Sequence, residues 1–444
     1  MKTPFRMSVL LAVLALMPRS AAAQNTQPQG PQQGQPPAQP QALTLADAEK
    51  IALANHPQIQ TAQNLASAAK QQTREARSAY YPQATGSLTV AEAIPDSRIA
   101  AGGLNNPIVL DRYSDGVLVS QLLTDFGRTH QLSKSADLHA QAQQEAVVTS
   151  QEDVLVQVDR AYYGVLRAQA VLQVAQETVK NRQLVSDQIT TMAKNLLKSD
   201  LDVSFANVDL SQAQLLLIQA QNDVQASFAD LSAALGYADQ RTFTLQEVPV
   251  PPAPAMDLAS LIQQALQNRP ELVGERLDVN SAQTYATAER DLYFPTVSAL
   301  GAAGLTPVHQ SGIDDRYAAA GVNVNIPIFN GHLYSALHSE AMFRAQAEQQ
   351  RLRDLQDGIV RDVRTAWLNA NSGFQRLSVT EQLLSEATMA MNLAQARYNL
   401  GLSSIVELSQ AQLNLTQAQI VEASAKFDYE TQTSLLNFQL GNLH

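Results

Sequence analysis

His332 and His338 are the residues whose type most suits metal ligation, and Met389 with Met391 would suit a soft metal. Neither spacing serves. Helical zinc pairs stand at i, i+4 so that both rings leave one face. Six residues apart, His332 and His338 lie on poorly aligned faces. Met389 and Met391, at i, i+2, do not face each other. No Ser-His-Asp constellation, phosphate-cradling glycine loop or His-Glu-x-x-His run is present, and Gly102-Gly103 begins no helix. The chain has no cysteine, so neither thiol chemistry nor a disulfide framework is available. A formal net charge of −11 argues against nucleic acid, since phosphate binding needs a basic face. The expectation is a protein without catalytic residues, metal or cofactor. Tyr162 and Trp367, at near-equivalent positions, read as packing anchors between helices.

The informative pattern is a duplication. Ala52-Leu53-Ala54-Asn55-His56-Pro57 returns as Ala265-Leu266-Gln267-Asn268-Arg269-Pro270, 213 positions on, and the same shift carries Tyr81-Pro82 onto Phe294-Pro295. Later, a shift of 205 carries Leu210-Ser211-Gln212-Ala213-Gln214 onto Leu415-Thr416-Gln417-Ala418-Gln419, and Leu235-Gly236 onto Leu440-Gly441. Two halves of about 200 residues share one plan, far longer than a solenoid repeat. The first half is longer by eight residues, somewhere between Pro82 and Val158.

The N-terminus reads as a targeting segment (1–23). Lys2 and Arg6 precede an apolar run from Met7 to Met17, and Ala21-Ala22-Ala23 fits a cleavage site. Its removal would take away Lys2, Arg6 and Arg19 and leave a net charge of −14. Residues 24–42, rich in Gln, Pro and Gly, read as a disordered tether. No later run is long and apolar enough for a transmembrane helix. Charged residues are 16% and aromatics 5%, while Ala and Gln recur. That recipe suits long, closely packed helices.

Each half (43–236 and 256–441, joined by a proline-containing linker, 237–255) opens with helix. Thr44 and Asp47 mark the first start, Pro57 interrupts it, and Tyr81-Pro82 stops it. The period then changes. Val322, Val324, Ile326 and Ile328 alternate with Asn323 and Asn325, as in a strand with one apolar and one wet face. Gly116 to Leu122 is the weaker counterpart. Gln83 to Ala93 and Thr296 to Leu305 precede these strands, and Ile94 to Asp115 and Thr306 to Arg316 read as loops. Hairpins of strands are thus expected over 83–124 and 296–328, long enough to cross a bilayer when tilted.

Helical hairpins are expected over 128–236 and 332–441, beginning with very long proline-free helices. Leu352, Leu355, Ile359, Val363, Ala366, Ala370, Phe374 and Leu377 follow coiled-coil spacing. Four strands cannot close a barrel, yet every strand edge in lipid must be paired. The expected fold is therefore mainly α with a short β-barrel contribution. It is a duplicated helix–β-hairpin–long helix–helix unit, and a homotrimer would supply a 12-strand barrel continued by 12 helices, which the resemblance described next makes a 12-helix periplasmic tunnel.

In this order of elements the chain resembles the TolC-like outer membrane efflux protein family, from Leu43 to Leu440. The resemblance rests on Asn55-His56-Pro57 and Asn268-Arg269-Pro270, and on Tyr81-Pro82 and Phe294-Pro295. It also rests on the hairpin exits Phe126-Gly127-Arg128 and Ile326-Pro327-Ile328-Phe329-Asn330-Gly331. The family's helical tip runs apolar-Gly, five variable residues, then acidic-apolar. Leu400-Gly401-Leu402-Ser403-Ser404-Ile405-Val406-Glu407-Leu408 matches it throughout. Asn195-Leu196-Leu197-Lys198-Ser199-Asp200-Leu201-Asp202-Val203 keeps the acidic-apolar ending but has Leu196 in place of the glycine.

The resemblance implies an outer membrane exit duct of a tripartite efflux or type I secretion system. It would passively conduct substrates delivered by an inner-membrane pump across periplasm and outer membrane. It implies that the tips (Leu400, Gly401, Leu402, Ser403, Ser404; Leu197, Lys198, Ser199, Asp200) dock a periplasmic adaptor. It further implies that Glu407 and Asp202 line a polar, acidic entrance favouring cations, although Gln410 stands where some members carry a second carboxylate. Val322, Val324 and Ile326 would face outer membrane lipid. The competing reading is a periplasmic coiled-coil adaptor without a membrane barrel, which leaves two alternating hairpins unexplained.

Overall fold

A computed structural model describes residues 42–91, 112–307, 312 and 314–443. The targeting segment, all but the last residue of the tether, most of the first strand-connecting loop and part of the second lie outside the described residues.

The first half runs β1 (Ala42–Leu43), α1 (Leu45–Asn55), α2 (Pro57–Arg77), a 3-10 turn, β2 (Gln83–Ala91), β3 (Arg112–Thr124), α3 (Arg128–Lys194) and α4 (Asp200–Ala234). After β4 (Thr244–Leu245) the plan repeats as α5 (Leu258–Asn268), α6 (Pro270–Arg290), a 3-10 turn, β5 (Thr296–Leu305), β6 (Arg316–Asn325), α7 (Leu333–Asn399) and α8 (Ile405–Gln439). Corresponding helices have equal lengths of 11, 21, 67 and 35 residues. The extra length of the first half therefore falls between the starts of β2 and α3, within the first hairpin.

Local chemistry sets these boundaries. Thr44 caps α1 by accepting from the Asp47 amide at 3.1 Å. Pro57 and Pro270 occupy first-turn positions of α2 and α6, where a missing N–H costs nothing. At the first hairpin exit Phe126 and Gly127 take positive φ (55° and 110°), turning the chain sharply. The Asp125 carboxylate then accepts from the amides of Gly127 at 3.2 Å and Thr129 at 2.7 Å, capping α3.

α3 and α7, each about 100 Å long at 1.5 Å per residue, are the axes of the molecule. α3 packs against α2, α4, α6 and α8, and α7 against α6 and α8. Of the expected seam, Ile359, Val363, Ala366 and Ala370 are buried in one cluster with Leu436 and Leu440, and Leu352 and Leu355 flank it. Phe374 departs from it. It is 37% exposed and tilts over Tyr429 at 5.5 Å between ring centroids. Towards the tip the buried positions become Thr380, Ala387 and Ala394 on α7 and Ala206, Ala213 and Ala220 on α4. The seven-residue repeat continues there with small side chains, which let the backbones approach.

β2, β3, β5 and β6 form one antiparallel sheet in that order. Two loop boundaries are corrected. Arg112 to Asp115 and Arg316 belong to strands, because the ladder carries Ala91 opposite Arg112 and Leu305 opposite both Asp115 and Arg316. The last expected strand residues are corrected too. β6 ends at Asn325, paired with Thr296, so Ile326 lies one residue beyond it. Pro327 has no N–H to continue the ladder, and Pro295 likewise bars extension of the partner. The linker holds an element without a sequence signal: β4 pairs in parallel with β1. Tyr162, fully buried, holds it by donating to Gln246 O at 2.6 Å and accepting from Gln246 N at 3.1 Å.

Candidate functional site

The two helical tips are built alike despite different sequences. In the second, Gly401 takes φ 73° and Leu402 N donates to Arg397 O at 2.8 Å. In the first, Leu196 occupies the corresponding left-handed conformation with φ 59°, and Leu197 N donates to Met192 O at 2.9 Å. A leucine there costs roughly 1–2 kcal/mol. It receives no packing in return, being 93% exposed. Leu197, Leu201, Leu400, Leu402 and Val406 are also exposed, so both tips end in apolar side chains facing solvent.

Beneath them the tips share one small core. Ile189, Ala206, Tyr398, Ile405 and Leu408 form a buried cluster, bringing the Asp202 and Glu407 segments together. The two carboxylates are used differently. Asp202 closes a capping box, accepting from Ser199 N at 3.0 Å and Ser199 Oγ at 2.8 Å. Glu407 receives Arg397 Nε at 3.0 Å instead, while its own amide donates to Ser404 Oγ at 3.4 Å. Lys198 places its Nζ 3.7 Å from the Tyr398 ring centroid. Burial, and secondarily the Asp202 charge, push the Tyr398 hydroxyl up to about 12. Ser403 is half-buried, whereas Ser199, Asp200 and Ser404 are exposed.

At the other end, strand register sorts the sheet into two faces. Val322 and Val324 lie opposite Ala299 and Val297, on the face that also carries Ala84, Gly86, Leu88, Val117, Val119 and Ala303. Asn323 and Asn325 share the other face with Gln83, Thr85, Ser87, Ser120 and Ser298. In this single chain β6 is exposed at all ten positions, and β2 is exposed over Gln83 to Val90. Among the described residues no layer covers either face, and β2 and β6 have no strand partner on their outer edges.

The sequence reading missed a cluster of aromatics where sheet meets helices. Phe126 lies 6.1 Å from Phe294 and Tyr293 5.8 Å from Tyr334, and Tyr80, Tyr81 and Phe329 are exposed nearby in the chain. Their signal was present: an aromatic precedes Pro82 and Pro295, and another follows each sheet exit. The histidines are separated in role. His338 Nδ1 meets Ala286 O at 3.1 Å, while His332 stacks edge-on to Phe329 at 5.9 Å. Among the described residues no group of three or more His, Cys, Asp or Glu is placed to hold a metal ion.

The profile of a family described as outer membrane efflux protein matches residues 50–237 and 261–442, both halves of the duplication. The chain belongs to this family. Among relatives of this outer membrane efflux protein, TolC of Escherichia coli strain K12 is 22% identical over 91% of this chain and 83% of its own. The alkaline protease secretion protein AprF of Pseudomonas aeruginosa is 24% identical over 90% of this chain and 85% of its own. The outer-membrane channel OprN has the same fold, with a TM-score of 0.78 at 18% identity over 90% of both chains.

Family membership makes the chain an outer membrane exit channel of efflux or secretion systems, located in the bacterial outer membrane and extending into the periplasm. This is a family of channels, not of enzymes. No described helix is long and apolar enough to cross a membrane. The alternative, a periplasmic adaptor without a membrane barrel, is set aside by the family match.

Proposed function

We propose that three copies of this chain assemble into a 12-strand barrel in the outer membrane, continued by a 12-helix tunnel through the periplasm. The single observation that carries this reading is the sheet: four strands, with β6 exposed at all ten positions and, among the described residues, no strand partner beyond β2 and β6. A long exposed strand edge is a ready template for pairing with another chain, and in lipid each N–H and C=O must be satisfied within the protein. Pairing β6 of one copy with β2 of the next removes the edges. The face bearing Val322 and Val324 then meets lipid, and Asn323 and Asn325 line the lumen. Ile326 reaches lipid from just beyond the strand.

The exposed apolar tips are the docking surface for a periplasmic adaptor, and Leu196, held in an unfavourable backbone conformation with its side chain outward, belongs to it. Asp202 and Glu407 lie at the entrance. The channel is passive, and an inner-membrane pump coupled through the adaptor supplies the energy. The test is purification of the full-length chain from outer membranes and reconstitution into a planar lipid bilayer. Discrete conductance steps are expected. Recovery only in a salt-released periplasmic fraction, without conductance, would refute the reading.

A further inference from the structure

The entrance carboxylate Glu407 is not free. Arg397 lies at the end of α7, ten residues before Glu407, and donates from Nε to Glu407 Oε1 at 3.0 Å. Its position is fixed twice over. Arg397 O accepts from Leu402 N at 2.8 Å, and Arg397 Nη2 donates to Leu402 O at 3.4 Å. The guanidinium is thus tied to the turn that presents Glu407. The contrast with the first tip is direct, because Asp202 is occupied by its own capping box.

The charge balance of the tips points the same way. The chain as a whole carries −11, yet residues 194–202 hold Lys194, Lys198, Asp200 and Asp202, and residues 397–407 hold Arg397 and Glu407. Basic and acidic groups are equal in number there, and three-fold assembly multiplies a zero balance. An ion pair about 3 Å wide is much smaller than the Debye length of about 8 Å at physiological salt, so a passing ion meets a weak dipole rather than a ring of negative charge.

We propose that Arg397 is a selectivity-determining residue of the entrance. It cancels the Glu407 charge within each copy, so that the tunnel admits anionic as well as cationic cargo. This rests on the channel reading above and names the residue that sets its charge preference. An exposed pair of this kind contributes little to folding, so its replacement changes the field and leaves the helices intact.

The test is reversal potential across a planar bilayer in a potassium chloride gradient, with block by hexamminecobalt(III) added on the tip side. Full-length unaltered protein, Arg397→Gln, Glu407→Gln, the double variant and Arg397→Lys are compared. Arg397→Gln should raise the cation-to-anion permeability ratio by about fivefold and tighten the block by a similar factor, the size expected for one unmasked charge near water-like screening. Glu407→Gln should move both readings the opposite way. The double variant and Arg397→Lys should lie near the unaltered channel. Unchanged selectivity and block in Arg397→Gln, or a shift in the same direction as Glu407→Gln, would overturn the proposal while leaving the channel intact. An unaltered chain that conducts nothing would remove the channel reading and this proposal with it.

Discussion

Glu49 on α1 and Asp159 on α3 are neighbouring carboxyls, near enough for the Asp159 charge to raise Glu49, and Ser434 of α8 donates to Asp159 Oδ2. The Ser434–Asp159 bond ties the first long helix to the last helix of the other half, beside Glu49 of the first helix. Glu430 lies nearby on α8, 2% exposed, with neither carboxylate oxygen hydrogen-bonded. Around the group stand Tyr162, Tyr163 and Asp47, with Lys426 and Glu247 beyond Glu430.

A pH dependence follows. Burial first, and the Asp159 charge second, push Glu49 up to about 7. Burial alone does most of the same for Glu430, also up to about 7. Between the ordinary carboxylate value of 4.5 and about 7 the folded chain holds more protons than the unfolded one. Stability therefore falls as pH rises through that window and levels off above it. His139, raised chiefly by its bond to Asp278, adds a slope of the same sign above its ordinary value of 6.5. Thermal unfolding followed by helical circular dichroism from pH 5 to 8 should show a falling midpoint. Glu430→Gln should raise the midpoint at pH 8 and flatten the curve, whereas His139→Asn should leave the part below pH 6 unchanged. An identical slope in Glu430→Gln would contradict this assignment.

Leu196→Gly removes a left-handed leucine and should raise stability by about 0.5–1 kcal/mol, the relief of strain less the added freedom of the unfolded chain. The same change deletes an exposed apolar side chain from the proposed docking surface. Thermal midpoint and retention of the adaptor on immobilised channel should therefore move in opposite directions. A lower midpoint with adaptor retention unchanged would make Leu196 a structural residue only.

The sheet faces predict unequal effects of one substitution at adjacent positions. Val322→Arg places a charge on the apolar face and should cost about 2–4 kcal/mol near mid-membrane, reducing assembly. Asn323→Arg points to the lumen and should alter conductance with assembly preserved. Quantifying oligomer on mild gels alongside single-channel currents separates the two. Equal loss of oligomer from both would reverse or abolish the face assignment.

Much of this was legible in the chain because the signals were local. Pro57, Pro270, Tyr81-Pro82 and Phe294-Pro295 act on their own backbone, and alternation of Val with Asn over 322–325 marks a two-sided strand. Long-range features left no such mark. β4 is two residues in a proline-rich linker, and it exists because Tyr162, distant in sequence, bonds to Gln246. The Arg397–Glu407 pair spans a turn whose geometry had to be seen before the two side chains could be placed together. Leu196 was visible as a departure from glycine, but only the backbone showed that the turn keeps its left-handed form regardless.

In the proposed assembly the open edges of β2 and β6 are closed by other copies of the chain. The most direct measurement is the protein mass of the detergent-extracted complex by light scattering, with the detergent contribution subtracted. The mass of three chains in a single species is expected. A stable, monodisperse monomer in detergent would contradict it.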